Sequence, residues 1–148
     1  MVFDTMVLAY ALINVPEFRE DSQRAIEGAR EIVVPDLFHA ELVNVVWQWI
    51  KARRLGLAAG LDVLQRGQAL PTRVVSTRAL WERALTLSVA RSHPAYDTLF
   101  VALAIEIGSK VVSNDRPLLV RFPEHVVSVA QFLGELRRGR RSGARPSA

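Results

Sequence analysis

Val2-Phe3-Asp4-Thr5-Met6-Val7-Leu8 decides the reading of the whole chain: an apolar run stops on an acid and a second apolar run follows at once. Val2–Asp4 reads as a short strand. The helical pattern over 5–13 starts directly behind the acid, where an Asp makes a good N-cap. Working outward, the same alternation recurs. Further strands are expected at Ile32–Val34, Arg73–Val75, Lys110–Ser113 and Val126–Val129, each brief and bounded by Pro, Ser, Asn or Asp. Between them helices are expected at 17–30, 36–54, 57–67, 77–91 and 95–107, then a short one at 116–121 and a last one at 130–138. Short β-branched runs alternating with longer helical patterns define an α/β domain around a central, mainly parallel five-stranded sheet.

At 148 residues and 16.5 kDa the chain fits one domain large enough to bury a real core. Half of its residues are hydrophobic and 23% are charged, as in ordinary soluble domains. The absence of cysteine excludes disulfides and thiolate metal sites. His39, His93 and His125 have none of the close spacings of a zinc site, so any metal would be a hard cation held by oxygen. No basic segment followed by an apolar signal core opens the sequence, and the longest purely apolar stretch, Leu99–Ile105, is too short to cross a bilayer. A cytoplasmic protein without a membrane partner is the expectation.

The formal charge of +4 is unevenly placed. Arg137, Arg138, Arg140, Arg141 and Arg145 follow the last acid, and subtracting these five leaves 4 − 5 = −1 for residues 1–136. The division expected is a folded domain over 1–136 and a basic, disordered tail over 137–148. A generic basic patch for nucleic acid therefore does not apply to the body. The tail either holds phosphates near a binding groove or is a solubilising end, the simpler reading.

In the 36–54 helix, apolar residues from Leu37 to Ile50 cover most of the circumference, as in a buried helix, and Trp47 and Trp49 then read most simply as core. Glu41, Asn44, Gln48 and Lys51 form one polar stripe along it. Taken singly, the acids have ordinary explanations: Asp4 and Asp115 as helix caps, Asp97 in the first turn of a helix, Glu41 in a solvated stripe. Their joint placement says more. Asp4 and Asp115 both follow strands of one parallel sheet, and ligands bind beyond the carboxyl ends of such strands. Glu41 and Asp97, near the starts of helices, can face the same edge. Four carboxylates gathered there would repel, and Mg²⁺ or Mn²⁺ relieves that.

These segments resemble those of PIN domains. Val2 to Leu8 is similar to the family's opening strand and turn, and Pro35-Asp36-Leu37-Phe38-His39-Ala40-Glu41 to the segment bearing its second acid. Tyr96-Asp97-Thr98-Leu99-Phe100 resembles the third-acid helix, and Val112-Ser113-Asn114-Asp115 the Ser/Thr-x-Asp element that ends the next strand. The resemblance runs in register from residue 2 to about 133. It implies a three-layer α/β/α sandwich and metal-dependent hydrolysis of RNA. Asp4, Asp97 and Asp115 would hold one or two Mg²⁺ or Mn²⁺ ions, and Glu41 would help bind metal or orient the attacking water. Thr5 and Ser113 would be auxiliary polar groups. Met6 stands where family members commonly carry Asn or Ser, and Thr5 and Ser113 could compensate. Small single PIN domains look like toxins of toxin–antitoxin pairs, which implies a cognate antitoxin and a homodimer, with the apolar region Val46–Ile50, Leu55 and Leu57 as an interface. The competing reading is a weak or inactive PIN-fold module acting as an RNA-binding or scaffold protein. A nucleotide-binding domain is disfavoured, since no Gly-rich phosphate loop follows any strand and Gly108 is isolated.

Overall fold

The structure, a computed structural model, describes residues 1–143. Five strands, β1 (Val2–Phe3), β2 (Val33–Pro35), β3 (Arg73–Val75), β4 (Val111–Val112) and β5 (Val126–Val127), form one sheet in the order β3-β2-β1-β4-β5. Every pairing is parallel. Eight helices complete the described chain: α1 (Thr5–Ile13), α2 (Pro16–Gly28), α3 (Leu37–Lys51), α4 (Leu57–Ala69), α5 (Trp81–Arg91), α6 (Ala95–Glu106), α7 (Arg116–Arg121) and α8 (Val129–Gly143).

Side chains alternate across a strand, so each short strand feeds two cores. Phe3, Val34, Val112 and Val127 point to one face and pack with residues of α1 to α4 and α8, among them Leu8, Phe38, Leu42, Val63 and Phe132. Val2, Val33, Val111 and Val126 point to the other, against Ala84 of α5, Phe100 and Leu103 of α6, and Phe122 behind α7. Two helical layers thus sandwich the sheet. Each fully buried Phe or Leu here contributes roughly 1.5–3 kcal/mol from leaving water.

Local chemistry sets the element ends. Asp4 caps α1 by accepting from the Met6 amide at 3.3 Å, and Asn14, at φ 69°, turns the chain out of the helix. Asp115 caps α7 by accepting from the Leu118 amide at 2.7 Å. Gly108, at φ 61°, ends α6: Ser109 donates to the Ala104 carbonyl (2.8 Å) and Gly108 to that of Ile105 (3.1 Å). That is the paired bonding of a Schellman stop, where a glycine is favoured for its backbone rather than for a ligand.

Several expectations need correction. The helix expected over 77–91 is a 3₁₀ turn (Thr77–Ala79) followed by α5, because the chain breaks at Leu80 to drive that side chain into the core at 2% exposure. Asp36 lies outside α3; its carboxylate accepts from the Thr77 amide at 2.9 Å and ties α3's entry to the turn after β3. The apolar surface of α3 is not buried all round: Val43 is exposed and Trp47 is 53% exposed, while Trp49 packs against the core. The last helix runs past the expected 138. Leu133 and Leu136 pack in the first core and hold α8 against α2, so regular structure continues into the arginine-rich stretch as far as Gly143. Residues 144–148, the rest of the expected tail, lie outside the described residues.

Candidate active site

The chain lays β1, β2 and β3 outward in one direction, then crosses back to put β4 on the other side of β1. Strand order therefore reverses between β1 and β4, and a crevice opens beyond their carboxyl ends. Asp4 leaves β1 at that point; Ser113, Asn114 and Asp115 leave β4 beside it. A cleft of about 510 Å³ occupies the position, and Asp4, Glu41, Asp97 and Asp115 all line it.

Each carboxylate is aimed by a neighbour. Ser113, fully buried, donates from Oγ to Asp4 Oδ2 at 2.5 Å and accepts from the Asp115 amide at 3.0 Å, so one hydroxyl orients the two acids that follow β1 and β4. Buried Thr5 donates from Oγ1 to Glu41 Oε2 at 2.5 Å, locking α1 to α3 at the rim. Asp97 rides on α6, whose start is pinned by Thr98: that buried hydroxyl meets Ser88 Oγ at 2.8 Å and the Ala84 carbonyl at 2.9 Å. The Glu41–Asn44–Gln48 part of the polar stripe on α3 lines the same cleft. Lys51 instead lies 5.0 Å over the Trp47 ring.

Burial shapes the electrostatics. Asp4 is pushed above the usual carboxylate range by desolvation, only partly offset by Ser113 and the Met6 amide, with Asp97 and Asp115 adding repulsion. Glu41 is pushed up to about 7, again chiefly by desolvation, with Asp4 and Asp97 contributing. Asp97 is raised by desolvation and by Asp115, against the opposing pull of His93. The acids thus sense one another across the cleft.

His93 was passed over in the sequence for want of a zinc-like spacing, yet its Nε2 lies 2.9 Å from Asp97 Oδ2, with only 3% of its side chain exposed. The approach is off-line for a good hydrogen bond. His93 packs edge-on to Phe122 at 5.6 Å. The spacing of four between His93 and Asp97 was the available signal. Tyr10, Phe18, Asn44, Asn114 and Arg116 also line the cleft and were not singled out as site residues.

As the side chains stand, no three acidic or imidazole groups among the described residues are drawn together tightly enough to grip an ion unaided. Protein donors occupy Asp4, Glu41 and Asp115 instead. An all-oxygen donor set with three raised carboxyls fits a hard cation that keeps part of its water shell, as Mg²⁺ does.

Residues 1–122 match the PIN domain family, and the chain belongs to that family. Within it, a curated relative is Ribonuclease VapC3 of Pyrobaculum aerophilum, 32% identical over 120 residues that span 78% of this chain and 90% of the relative. A crystal structure from Pyrobaculum aerophilum shares the fold with a TM-score of 0.73 at 22% identity, covering 93% of this chain and 94% of that one. A toxin–antitoxin complex from Klebsiella pneumoniae contains a chain with a TM-score of 0.62 at 18% identity, covering 86% and 96%.

Proposed function

We propose that this protein is a Mg²⁺- or Mn²⁺-dependent endoribonuclease, acting in the cytoplasm as the toxin of a toxin–antitoxin pair. One observation carries the reading: Asp4, Glu41, Asp97 and Asp115 line one cleft at the point where strand order reverses. The relative named Ribonuclease VapC3 supports RNA as the substrate. Asp4, Asp97 and Asp115 are the residues to hold the cation. When bound, it supplies Lewis-acid stabilisation of the phosphoryl oxygens and acidifies water. Ser113 keeps Asp4 turned into the cleft, and Asp115's capping bond to Leu118 fixes its carboxylate. Thr5 engages Glu41 Oε2 and leaves Oε1 available to orient the attacking water. The cleft's own charge is negative, so phosphate is drawn in only once the carboxylates are neutralised.

An antitoxin is the proposed partner, supported by the similar chain solved in a toxin–antitoxin complex. Val43, Trp47, Leu57 and Leu61 leave an exposed apolar surface on α3 and α4 for it or for a second copy of the chain. Met6, which lines the cleft, favours the second reading of an RNA-binding PIN module with little activity. Cleavage of labelled single-stranded RNA separates the two. The nuclease reading expects cleavage with Mg²⁺ or Mn²⁺, none with EDTA, and a loss of at least about a hundredfold in Asp4→Asn, the scale of a lost electrostatic element in a metal site. Cleavage that survives EDTA and Asp4→Asn would sink it.

A further inference from the structure

The cleft extends well past its acids. Tyr10 lies six residues beyond Asp4 on α1, which is about 9 Å along the helix axis at 1.5 Å per residue. Gln48 lies seven beyond Glu41 on α3, about 10 Å along that axis. Both line the cleft, with Phe18 of α2 and Asn44 of α3. An acidic head at the strand ends therefore continues into an extension built from two aromatic rings and two amides. Tyr10 and Phe18 are stacked, with ring centroids 4.7 Å apart and planes inclined by 19°.

A stack that served only to staple α1 to α2 would gain most by being buried. Here Phe18 is 37% exposed and Tyr10 only half-buried. Both stacked rings line the cleft, where a further planar ring can add to the stack. Asn44 and Gln48 are exposed, and each amide offers both donors and an acceptor, the groups that read a base edge. Arg116 is the one cation among the described residues lining the cleft. Residues 1–136 sum to −1 and the described arginines of α8 do not line the cleft, so Coulomb attraction within it rests on Arg116 alone and gives RNA little reason to stay. Base stacking is the sequence-tolerant source of affinity that single strands use elsewhere.

We infer that Tyr10 and Phe18 form a stacking platform for one nucleobase of a single-stranded RNA threaded through the cleft, with Asn44 and Gln48 reading the edge of that base. The inference rests on the ribonuclease reading and adds a substrate subsite to it. It requires unpaired RNA, because a base within a duplex has no free face to offer.

The test is binding of a labelled single-stranded oligoribonucleotide with Mg²⁺, read by fluorescence anisotropy, in the full chain carrying Asp4→Asn so that RNA is not consumed. A series of oligonucleotides removes one base at a time. One position is expected to weaken binding roughly ten- to a hundredfold, the range for loss of one base stack. Phe18→Leu, which keeps apolar bulk against α1, should weaken intact RNA by a similar factor and erase that positional penalty, while Phe18→Tyr preserves it. If Phe18→Leu proves unfolded by its melting curve, Gln48→Leu takes its place, and the preference among the four bases at that position should flatten. No penalty at any position overturns the platform, as does a penalty unchanged in Phe18→Leu, or a base preference unchanged in Gln48→Leu. Variants that lose antitoxin but bind RNA normally would also overturn it, assigning the rings to a protein partner. Wild-type cleavage is scored separately: cleavage without a positional penalty removes the platform alone, and a penalty without cleavage removes the nuclease alone.

Discussion

A carboxyl held up to about 7 is one that folding has taken out of water, and Glu41 is in that state. The folded protein binds this proton more tightly than the unfolded chain does. The stabilisation is therefore complete below the ordinary value of 4.5 and is lost as pH rises through about 7. Asp4 and Asp97 are displaced in the same direction, whereas Asp36 and Glu124, held down at the surface, act oppositely. In EDTA the protein should thus melt higher near pH 5 than near pH 7.5, and Glu41→Gln should flatten that difference; a Tm that rises with pH in the wild type would contradict the burial of these acids. A cation reverses the balance by making the charged forms welcome. Millimolar Mn²⁺ near pH 7.5 should raise Tm over EDTA, with about 2.7 kcal/mol available at a hundredfold excess over Kd. Asp97→Asn should lose most of that shift; equal shifts in the two proteins would place binding elsewhere. At this scale the sequence was half legible. Acid after strand marked Asp4 and Asp115, and their polar neighbours Thr5 and Ser113 were picked out with them. His93 was not: its spacing of four from Asp97 is visible, but its burial beside Phe122, just past α7, is a tertiary contact that the spacing does not show.

Helix contacts around α3 and α4 turn on glycines. A Cβ at Gly67 would run into Leu42, itself buried, and one at Gly60 would come within 2.9 Å of both Ile50 and Val46. These positions let α4 approach α3 closely. Gly67→Val should destabilise by roughly 1–3 kcal/mol, the usual cost of overpacking, measured by urea unfolding. Gly134 in α8 is the opposite case: a Cβ there meets nothing nearer than Arg138 at 3.8 Å. Gly134→Ala should stabilise by up to about 1 kcal/mol through helix propensity alone. If Gly67→Val left stability unchanged or raised it, the close approach of α3 and α4 would be in doubt. All five strands and the order of helices were legible, since β2 to β5 each carry a Val-Val pair near turn formers and β1 is an apolar pair stopped by Asp4. Exposure of Trp47 was not. Periodicity shows how wide an apolar surface is, but not how much of it the neighbouring helices reach, and α4 crosses α3 without covering Trp47.

Over the whole molecule, charge and chemistry are segregated. All four acids lie within residues 1–115, whereas the arginines from Arg137 onward belong to the end of α8 and beyond. Removing residues 139–148 should leave kcat at saturating RNA unchanged, with the salt dependence of binding also unaltered. A log–log salt slope flatter by close to one unit per arginine removed would instead assign those side chains to phosphates. Loss of cleavage at saturation, with the fold intact, would mean that part of the active centre lies in the tail. The Ser113–Asp4 hydrogen bond bridges 109 residues of chain. It forms only when β4 docks beside β1, a closure whose entropic cost must be met before its contacts repay it. During synthesis Asp4, Glu41 and Asp97 emerge from the ribosome before the strand that completes the central pairing. A nascent chain therefore carries most of its acids without the framework that gathers them, and the ribosome making this protein is not exposed to its assembled site until translation of the domain is nearly complete.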